Sequence, residues 1–264
     1  MKTLKYLCIA ILAGIFLFAA CTKDEVVPSQ DPQNTVLTES RSDHPSIDQN
    51  LNWTDNFSNS ECLAQRWNLY GYPQPSWVLN ACGRKGLFVN NGVYPQGSYA
   101  VSDAPAGDIC GYTVESEVCI NVLDNEGIVV SPEIGVTRYP DSPESGISMR
   151  LMYIGNNVPG IPREYENKTY VVMKVLVRGG SYIYSGDYTF PVNISSGSWH
   201  KLQIRVEPMH FVSFILDNAV IWKPGYQLDP TMLNRNHVVL GYVSPDNKSK
   251  AYHDYVRVLY PPYN

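Results

Sequence analysis

The chain has little charge for its length. Only 17% of its 264 residues are Asp, Glu, Lys or Arg, the formal net charge is −5, and no stretch concentrates the basic residues. Because nucleic-acid binding depends on clustered Lys and Arg, this distribution argues against a nucleic-acid partner. A G-x-y repeat is absent, which excludes collagen. Pro and Gly, 19 of each, are spread along the whole length, so a long helical bundle is excluded as well.

The common catalytic and metal-binding motifs are also absent. The sequence contains no C-x-x-C, G-x-S-x-G or H-E-x-x-H pattern and no phosphate-binding Gly loop, and its five His are scattered. Zinc ribbons, thioredoxin-like sites and the familiar hydrolase motifs therefore have no support. What the chain does have is core-forming material: 44% of its residues are hydrophobic, and 19 are Tyr.

Residues 1–20 are typical of a signal peptide. Lys2 and Lys5 precede an apolar run from Tyr6 to Phe18, and small residues follow it. That run is shorter than the ~20 residues that span a bilayer comfortably.

The end of this segment, Leu17-Phe18-Ala19-Ala20-Cys21, resembles the lipobox of bacterial lipoproteins. The resemblance implies that Cys21 carries acyl chains and becomes the mature N-terminus, anchoring the protein to a membrane. Thr22, where an Asp would resemble an inner-membrane retention signal, favours the bacterial outer membrane. Lys23-Asp24-Glu25 is similar to a surface-export signal and indicates exposure on the cell. The alternative is an ordinary secretory signal in which Cys21 is incidental.

Two further segments follow. Residues 21–50 contain no Phe, Trp or Tyr and are rich in polar residues and Pro, which predicts a disordered tether after the lipidated Cys. Residues 51–264 hold the aromatic and apolar residues and form the predicted folded domain.

Four cysteines remain in that domain, an even number in an oxidising compartment. They are disulfide candidates, although free buried thiols are the alternative: Cys62, Cys82, Cys110 and Cys119. Three pairings are open. Proximity in sequence favours Cys62–Cys82 and Cys110–Cys119.

The domain has a hydrophobic period of two rather than 3.6, which predicts strands. In residues 199–206, for example, Leu202, Ile204 and Val206 should face inward. Asp217-Asn218 lies between two apolar runs and predicts a tight hairpin, because Asp and Asn tolerate positive φ. The other predicted strands are Tyr112–Val122, Gly127–Arg138, Gly146–Ile154, Tyr170–Arg178, Tyr182–Phe190, His237–Val243 and Tyr252–Tyr260.

These segments carry a family resemblance. The run 199–206, the Asp217-Asn218 hairpin and the closing strand 252–260 resemble concanavalin A-like lectin/glucanase domains of the laminin-G type. Trp53-Thr54-Asp55-Asn56-Phe57, followed by Trp67 and Trp77, resembles the opening of that family. The resemblance implies an all-β fold, a two-sheet antiparallel β-sandwich (jelly roll). It specifies the fold rather than the chemistry.

Glycosidases of this family carry alternating carboxylates, E-x-D-x-E or E-x-D-x-x-E, on one strand. Glu115 and Glu117 come close and should lie on one strand face, about 6.7 Å apart. However, Cys119 replaces the third carboxylate. We therefore interpret the pair as polar residues on a solvated face. In the enzyme alternative, a third acid such as Glu133 would come from another strand.

Aromatic residues are the stronger candidates for ligand binding, because sugar rings stack on Tyr and Trp. The candidates are Tyr70, Tyr72 and Trp77 in a Pro-rich segment, and Tyr182, Tyr184 and Tyr188 on one strand. Lectin-like jelly rolls often hold calcium on Asp-rich loops, which makes calcium the candidate cofactor. Its candidate ligands are Asp103, Asp108, Asp141 and Glu144.

We therefore expect a lipid-anchored surface protein whose jelly-roll domain binds a poly- or oligosaccharide without catalysis. One alternative is a glycoside hydrolase, or a related carbohydrate-active enzyme, that uses Glu115 and Glu117. The other is an adhesion or structural protein of the cell envelope.

Overall fold

Antiparallel strands make up most of the structure, a computed structural model. It describes residues 52–57, 63, 65–71, 74–79, 82–84, 87–90, 98–106, 111–137, 146–179, 182–208, 211–225, 227, 236–243 and 249–261. These belong to a compact unit spanning Leu51–Asn264. Within the described ranges, no helix has the length and apolar character needed to cross a membrane.

The described strands form two sheets. Their bounds are β1 Trp53–Asp55, β2 Trp67–Tyr70, β3 Ser76–Val78, β4 Leu87–Asn90, β5 Ser98–Ala106, β6 Tyr112–Val122, β7 Val129–Thr137, β8 Gly146–Ile154, β9 Lys168–Gly179, β10 Tyr182–Val192, β11 Trp199–Val206, β12 Val212–Leu216, β13 Ala219–Trp222, β14 Asn236–Val243 and β15 Ser249–Leu259. Runs of consecutive strands, such as β7–β10 and β11–β13, each belong to a single sheet. A 3₁₀ turn covers Arg163–Tyr165.

The first sheet has the order β13-β12-β11-β6-β15-β4-β3, and β1 pairs with β15. The second has the order β10-β9-β8-β7-β14-β5-β2. The predicted all-β, two-sheet antiparallel sandwich is confirmed. Both sheets bury alternate residues against each other, as the period of two requires. Leu202, Ile204 and Val206 are fully buried, and so are Val171, Met173 and Val175 of β9.

The Asp217-Asn218 hairpin is confirmed. Both residues have positive φ, 49° and 70°, and they join β12 to β13. A two-residue turn with positive φ at both positions matches the right-handed twist of the flanking strands. The predicted strands Tyr112–Val122 and Gly146–Ile154 have the observed bounds, and most of the others differ at their ends.

The disulfide pairing favoured by proximity in sequence is wrong. Cys82 pairs with Cys119, 37 positions away, rather than with Cys62. The turn at Cys82 lies against β6, so the tertiary structure brings together cysteines that are distant in sequence. Cys62 and Cys110 lie outside the described residues.

Candidate functional site

The central strand of the first sheet, β6, carries the candidate carboxylates. Val114, Val118 and Ile120 point into the core between the sheets. Glu115, Glu117 and Cys119 alternate with them and therefore lie on the opposite side. We call this side the outer face. It comprises the outward residues of β6, of its neighbours β11 and β15, and Arg84, which lies over them.

Glu115 is buried on the outer face, which contradicts the solvated environment predicted for it. Its carboxylate accepts hydrogen bonds from Gln203 Nε2 (2.6 Å), Tyr255 Oη (3.1 Å) and Arg257 Nε (2.6 Å). Gln203 of β11 and Arg257 of β15 lie directly opposite Glu115 in the sheet register. Burial, reinforced by the neighbouring Glu115 charge, raises the pKa of Tyr255. Side chains on the two strands that flank β6 thus exclude water from this carboxylate.

Glu117 is more accessible and pairs with a different cation. Arg84 Nη1 contacts the carboxylates of both Glu117 and Asp254. A register shift in β15 between His253 and Val256 brings Asp254 to this position, with Val256 opposite Ser116. Burial acts to lower the pKa of Arg84, but its bonds to Glu117 and Asp254 outweigh burial and raise that pKa.

A small apolar cluster adjoins these charges. Cys119 and Tyr252 are buried, and Cys82, Val78 and Trp199 pack against them. Trp199 Nε1 donates to the backbone carbonyl of Cys82 (3.2 Å). The Arg84 guanidinium lies 4.5 Å from the centre of the Trp199 ring, within cation–π range. The disulfide therefore fixes the turn that holds Arg84 over the outer face.

The structure contradicts the role suggested for Glu133 as a third acid. Glu133 belongs to β7 of the second sheet. The core residues of this strand, such as Val130 and Ile134, have even numbers, so Glu133 faces the opposite side. It points away from the core and lies 3.7 Å from Arg150 of β8. The whole core separates it from Glu115 and Glu117, so these three carboxylates cannot share one substrate.

The described aromatic candidates are not brought together. Tyr70 stacks on Tyr99 at 4.9 Å, and Trp77 Nε1 donates to the carbonyl of Phe57 (2.8 Å). Tyr70 lies on β2 and Trp77 on β3, and these are edge strands of the second and the first sheet at one margin of the sandwich. Tyr188 lies on β10 at the other margin and stacks on Trp222 at 5.4 Å.

The remaining aromatic candidates have no described side chains. Tyr182 and Tyr184 belong to β10, but only their backbone is described, and Tyr72 lies outside the described residues.

Sequence analysis missed the aromatic residues of the outer face, Trp199, Tyr252 and Tyr255. A signal was available for Trp199, because it shares the parity of the outward-facing Lys201 and Gln203 on β11. No such signal existed for Tyr255, since the register shift in β15 breaks the alternation that would have placed it.

The calcium candidates gain no support from the described residues. Asp103 is exposed, and its Oδ1 accepts a hydrogen bond from Asn68 Nδ2 (2.5 Å). Among the described residues, no group of three or more His, Cys, Asp or Glu could hold a metal ion. Asp108, Asp141 and Glu144 lie outside those residues, as does the lipidation candidate Cys21.

One further group of side chains has the order of a Ser-His-acid triad. Ser198 Oγ lies 2.7 Å from His200 Nε2, and His200 Nδ1 lies 2.7 Å from Asp217 Oδ2. Acyl transfer also needs N–H donors for the oxyanion. The backbone N–H groups of Gly197 and Ser198 both donate to backbone carbonyls instead (2.8 and 3.2 Å). We infer that this group has a structural role, because its contacts connect Asp217 of the hairpin to His200 and Lys201 of β11.

Comparison with known proteins gives a similarity of fold. Neither a protein-family model nor a curated protein matches the sequence. One similar solved structure comes from work on endo-acting O-glycanases, which members of the human gut microbiota express to initiate mucin breakdown. Its TM-score is 0.50 at 15% sequence identity, and the match covers 79% of this chain and 98% of that one. LamAcat from Zobellia galactanivorans also has a TM-score of 0.50, at 14% identity, covering 82% and 100%.

A glycoside hydrolase family 16 endo-glucanase from Bacteroides ovatus has a TM-score of 0.46 at 12% identity, covering 78% of this chain and 99% of its own. At the identities of the first two structures, the similarity concerns the fold alone. The chain shares the jelly-roll β-sandwich fold of those two structures.

Proposed function

We propose that the sandwich domain binds carbohydrate on its outer face and does not hydrolyse it. The observation that carries this proposal is the state of Cys119. It stands where the glycosidases that the sequence resembles have their third carboxylate, and its sulfur is bonded to Cys82. A disulfide sulfur has no proton to give to a leaving group, whereas glycoside hydrolysis requires a protonated acid beside the scissile bond.

The environment of Glu115 supports the same conclusion. A nucleophilic carboxylate must reach the anomeric carbon, but Glu115 is buried, and Gln203, Tyr255 and Arg257 donate to its oxygens. Attack would require these bonds to break and the covering side chains to move. Glu117 and the neighbouring Asp254 are partly exposed, but Arg84 contacts both carboxylates, so neither is a free acid or nucleophile.

The outer face offers the groups that sugar binding uses. Trp199 and Tyr255 supply ring surfaces for the C–H faces of a pyranose, while Arg84 and Arg257, which are partly exposed, supply hydrogen-bond donors. The solved neighbour from work on endo-acting O-glycanases supports carbohydrate as the ligand class.

A polysaccharide panel in affinity gel electrophoresis tests this proposal with the purified chain. We expect at least one polysaccharide to retard the protein, and Trp199→Ala to weaken that retention at least tenfold. Tyr188→Ala is the matched control, because it removes a partly exposed ring at a margin of the sandwich. The thermal melt of each variant establishes that it is folded.

Three outcomes would overturn the proposal. Folded protein that no polysaccharide retards would exclude carbohydrate binding. Loss of retention in Tyr188→Ala but not in Trp199→Ala would move the site to the margin. Release of reducing ends that Glu117→Gln abolishes would make the protein a hydrolase.

We also propose that the domain is held at the bacterial outer membrane by acyl chains on Cys21. The lipobox-like run ending in Cys21 supports this proposal, and residues 22–50 would act as the tether. Metabolic labelling with palmitate, followed by detergent phase partitioning, tests it. The parent should carry label and partition into detergent, whereas Cys21→Ser should do neither. A Cys21→Ser protein that is cleaved normally and stays in the detergent phase would contradict the proposal.

A further inference from the structure

The charges of the outer face are arranged by depth. The side chain of Glu115 is 2% exposed, whereas its partner Arg257 is 40% exposed. Glu117 and Asp254 are 26% and 24% exposed, whereas the Arg84 side chain that joins them is 39% exposed. In both groups the carboxylates are less exposed than the guanidinium that contacts them, so the guanidinium lies nearer to solvent. A ligand approaching this face therefore meets the cations first.

The arginines retain hydrogen-bonding capacity. A guanidinium has five N–H donors. The contacts with described residues use only Nη1 of Arg84, and Nε and Nη2 of Arg257. The remaining N–H groups of each fork suit the paired oxygens of a carboxylate or a sulfate ester.

The other charged residues of the outer face also favour a negatively charged ligand. Lys201 of β11 lies opposite Glu117, and Arg205 lies opposite Thr113 on the same face. On this part of a chain whose net charge is −5, cations outnumber acids by five to three. The five cations are Arg84, Lys201, Arg205, Lys250 and Arg257, and the three acids are Glu115, Glu117 and Asp254.

We propose that the ligand of the outer face is an anionic glycan, whose carboxylate or sulfate groups bind the exposed edges of Arg84 and Arg257. This inference rests on the proposed carbohydrate binding and names the class of glycan. Stacking on Trp199 holds the Arg84 guanidinium in place, so an incoming anion meets a donor that is already oriented. If the arginines served only to neutralise the carboxylates beneath them, a neutral glycan would bind equally well.

Pairs of polymers that share a backbone test this proposal with the purified full chain. Polygalacturonate is compared with its methyl ester, and dextran sulfate with dextran, by isothermal titration calorimetry at low and at physiological salt. We expect the charged member of at least one pair to bind at least tenfold more tightly than its neutral partner. The two pairs separate carboxylate from sulfate recognition. Affinity should fall as salt rises, because these charges are exposed.

Two variants assign the effect to the outer face. Arg84→Met should weaken binding of the charged polymer at least fivefold, and Arg84→Lys should restore only part of it, because Lys keeps the charge but loses the planar fork. Arg150→Met is the matched control. It removes a partly exposed arginine that also pairs with a glutamate, Glu133, but on the second sheet. It should leave affinity within twofold of the parent.

The outcomes separate this inference from the proposed function. Equal affinity for charged and neutral members would overturn the inference and leave carbohydrate binding intact. Equal losses in Arg84→Met and Arg150→Met would also overturn it, because attraction to the whole surface would then explain the binding. Folded protein that binds none of the polymers here, nor any in the wider panel, would overturn the proposed function itself.

Discussion

The two faces of strand β6 are both almost completely buried, but by different means. The inward side chains Val114, Val118 and Ile120 are covered by apolar packing against the second sheet. The outward Glu115 and Cys119 are covered by an ion pair with hydrogen bonds and by a disulfide. Apolar packing tolerates small rearrangements, whereas a buried charge depends on each of its partners. The outer face should therefore be the more sensitive to single substitutions.

The largest expected effect is the loss of the disulfide. The Cys82–Cys119 bond closes a loop over 37 positions, so the double variant Cys82→Ala/Cys119→Ala should lower the free energy of unfolding by about 4 kcal/mol. Urea denaturation of the non-reduced proteins measures this difference. A change below about 1 kcal/mol would show that the covalent link contributes little to stability. Peptide mapping of the parent checks that Cys82 and Cys119 are the bonded pair.

The next effect concerns Arg257. Arg257→Met should lower the free energy of unfolding by about 3 kcal/mol, because it leaves the Glu115 charge buried without its ion-pair partner. The double variant Glu115→Gln/Arg257→Met removes both charges and should recover most of that loss. Arg150→Met, whose partner Glu133 is partly exposed, should cost less than about 1 kcal/mol. Chemical denaturation of the four proteins compares them. A double variant as unstable as Arg257→Met would show that the cost does not arise from an unpaired charge.

The smallest of the three effects tests the inner face. His253 is fully buried there, with Nδ1 3.2 Å from Ser116 Oγ. Burial lowers its pKa to about 4, although a hydrogen bond with the Gly241 backbone opposes that shift. The unfolded chain therefore binds the proton more tightly than the folded chain. The contribution of neutral His253 to the free energy of unfolding is complete above the unfolded pKa of about 6.5. It is lost as the pH falls towards the folded pKa of about 4.

Lowering the pH from 7 to 5 should reduce the contribution of His253 to stability by roughly 2 kcal/mol. Urea denaturation at several pH values measures this dependence. His253→Gln should flatten it over the same range, whatever its stability at pH 7. An unchanged pH dependence in that variant would assign the acid sensitivity to other groups.

The outcome for the two glutamates shows where sequence patterns reach their limit. The spacing of Glu115 and Glu117 on an alternating segment predicted that they would share one strand face, and they do. The same alternation predicted a solvated face, which is wrong for Glu115. Alternation reports the direction of a side chain relative to the sheet, but burial depends on what covers that side. Here the cover includes Arg257, from a strand more than a hundred residues away, and the neighbouring Tyr255.

The sequence by itself determined the all-β class, the positions of the main strands and the Asp217-Asn218 hairpin. Each of these depends on neighbours in the chain: a period of two, turn residues that accept positive φ, and the steric preferences of β-branched side chains. Only the tertiary structure decided the disulfide partner of Cys82, the separation of Glu133 from Glu115, and the layering of arginines over carboxylates. These features depend on which strands become neighbours and on a register shift in β15, and both arise from packing over the whole sandwich rather than from any local pattern.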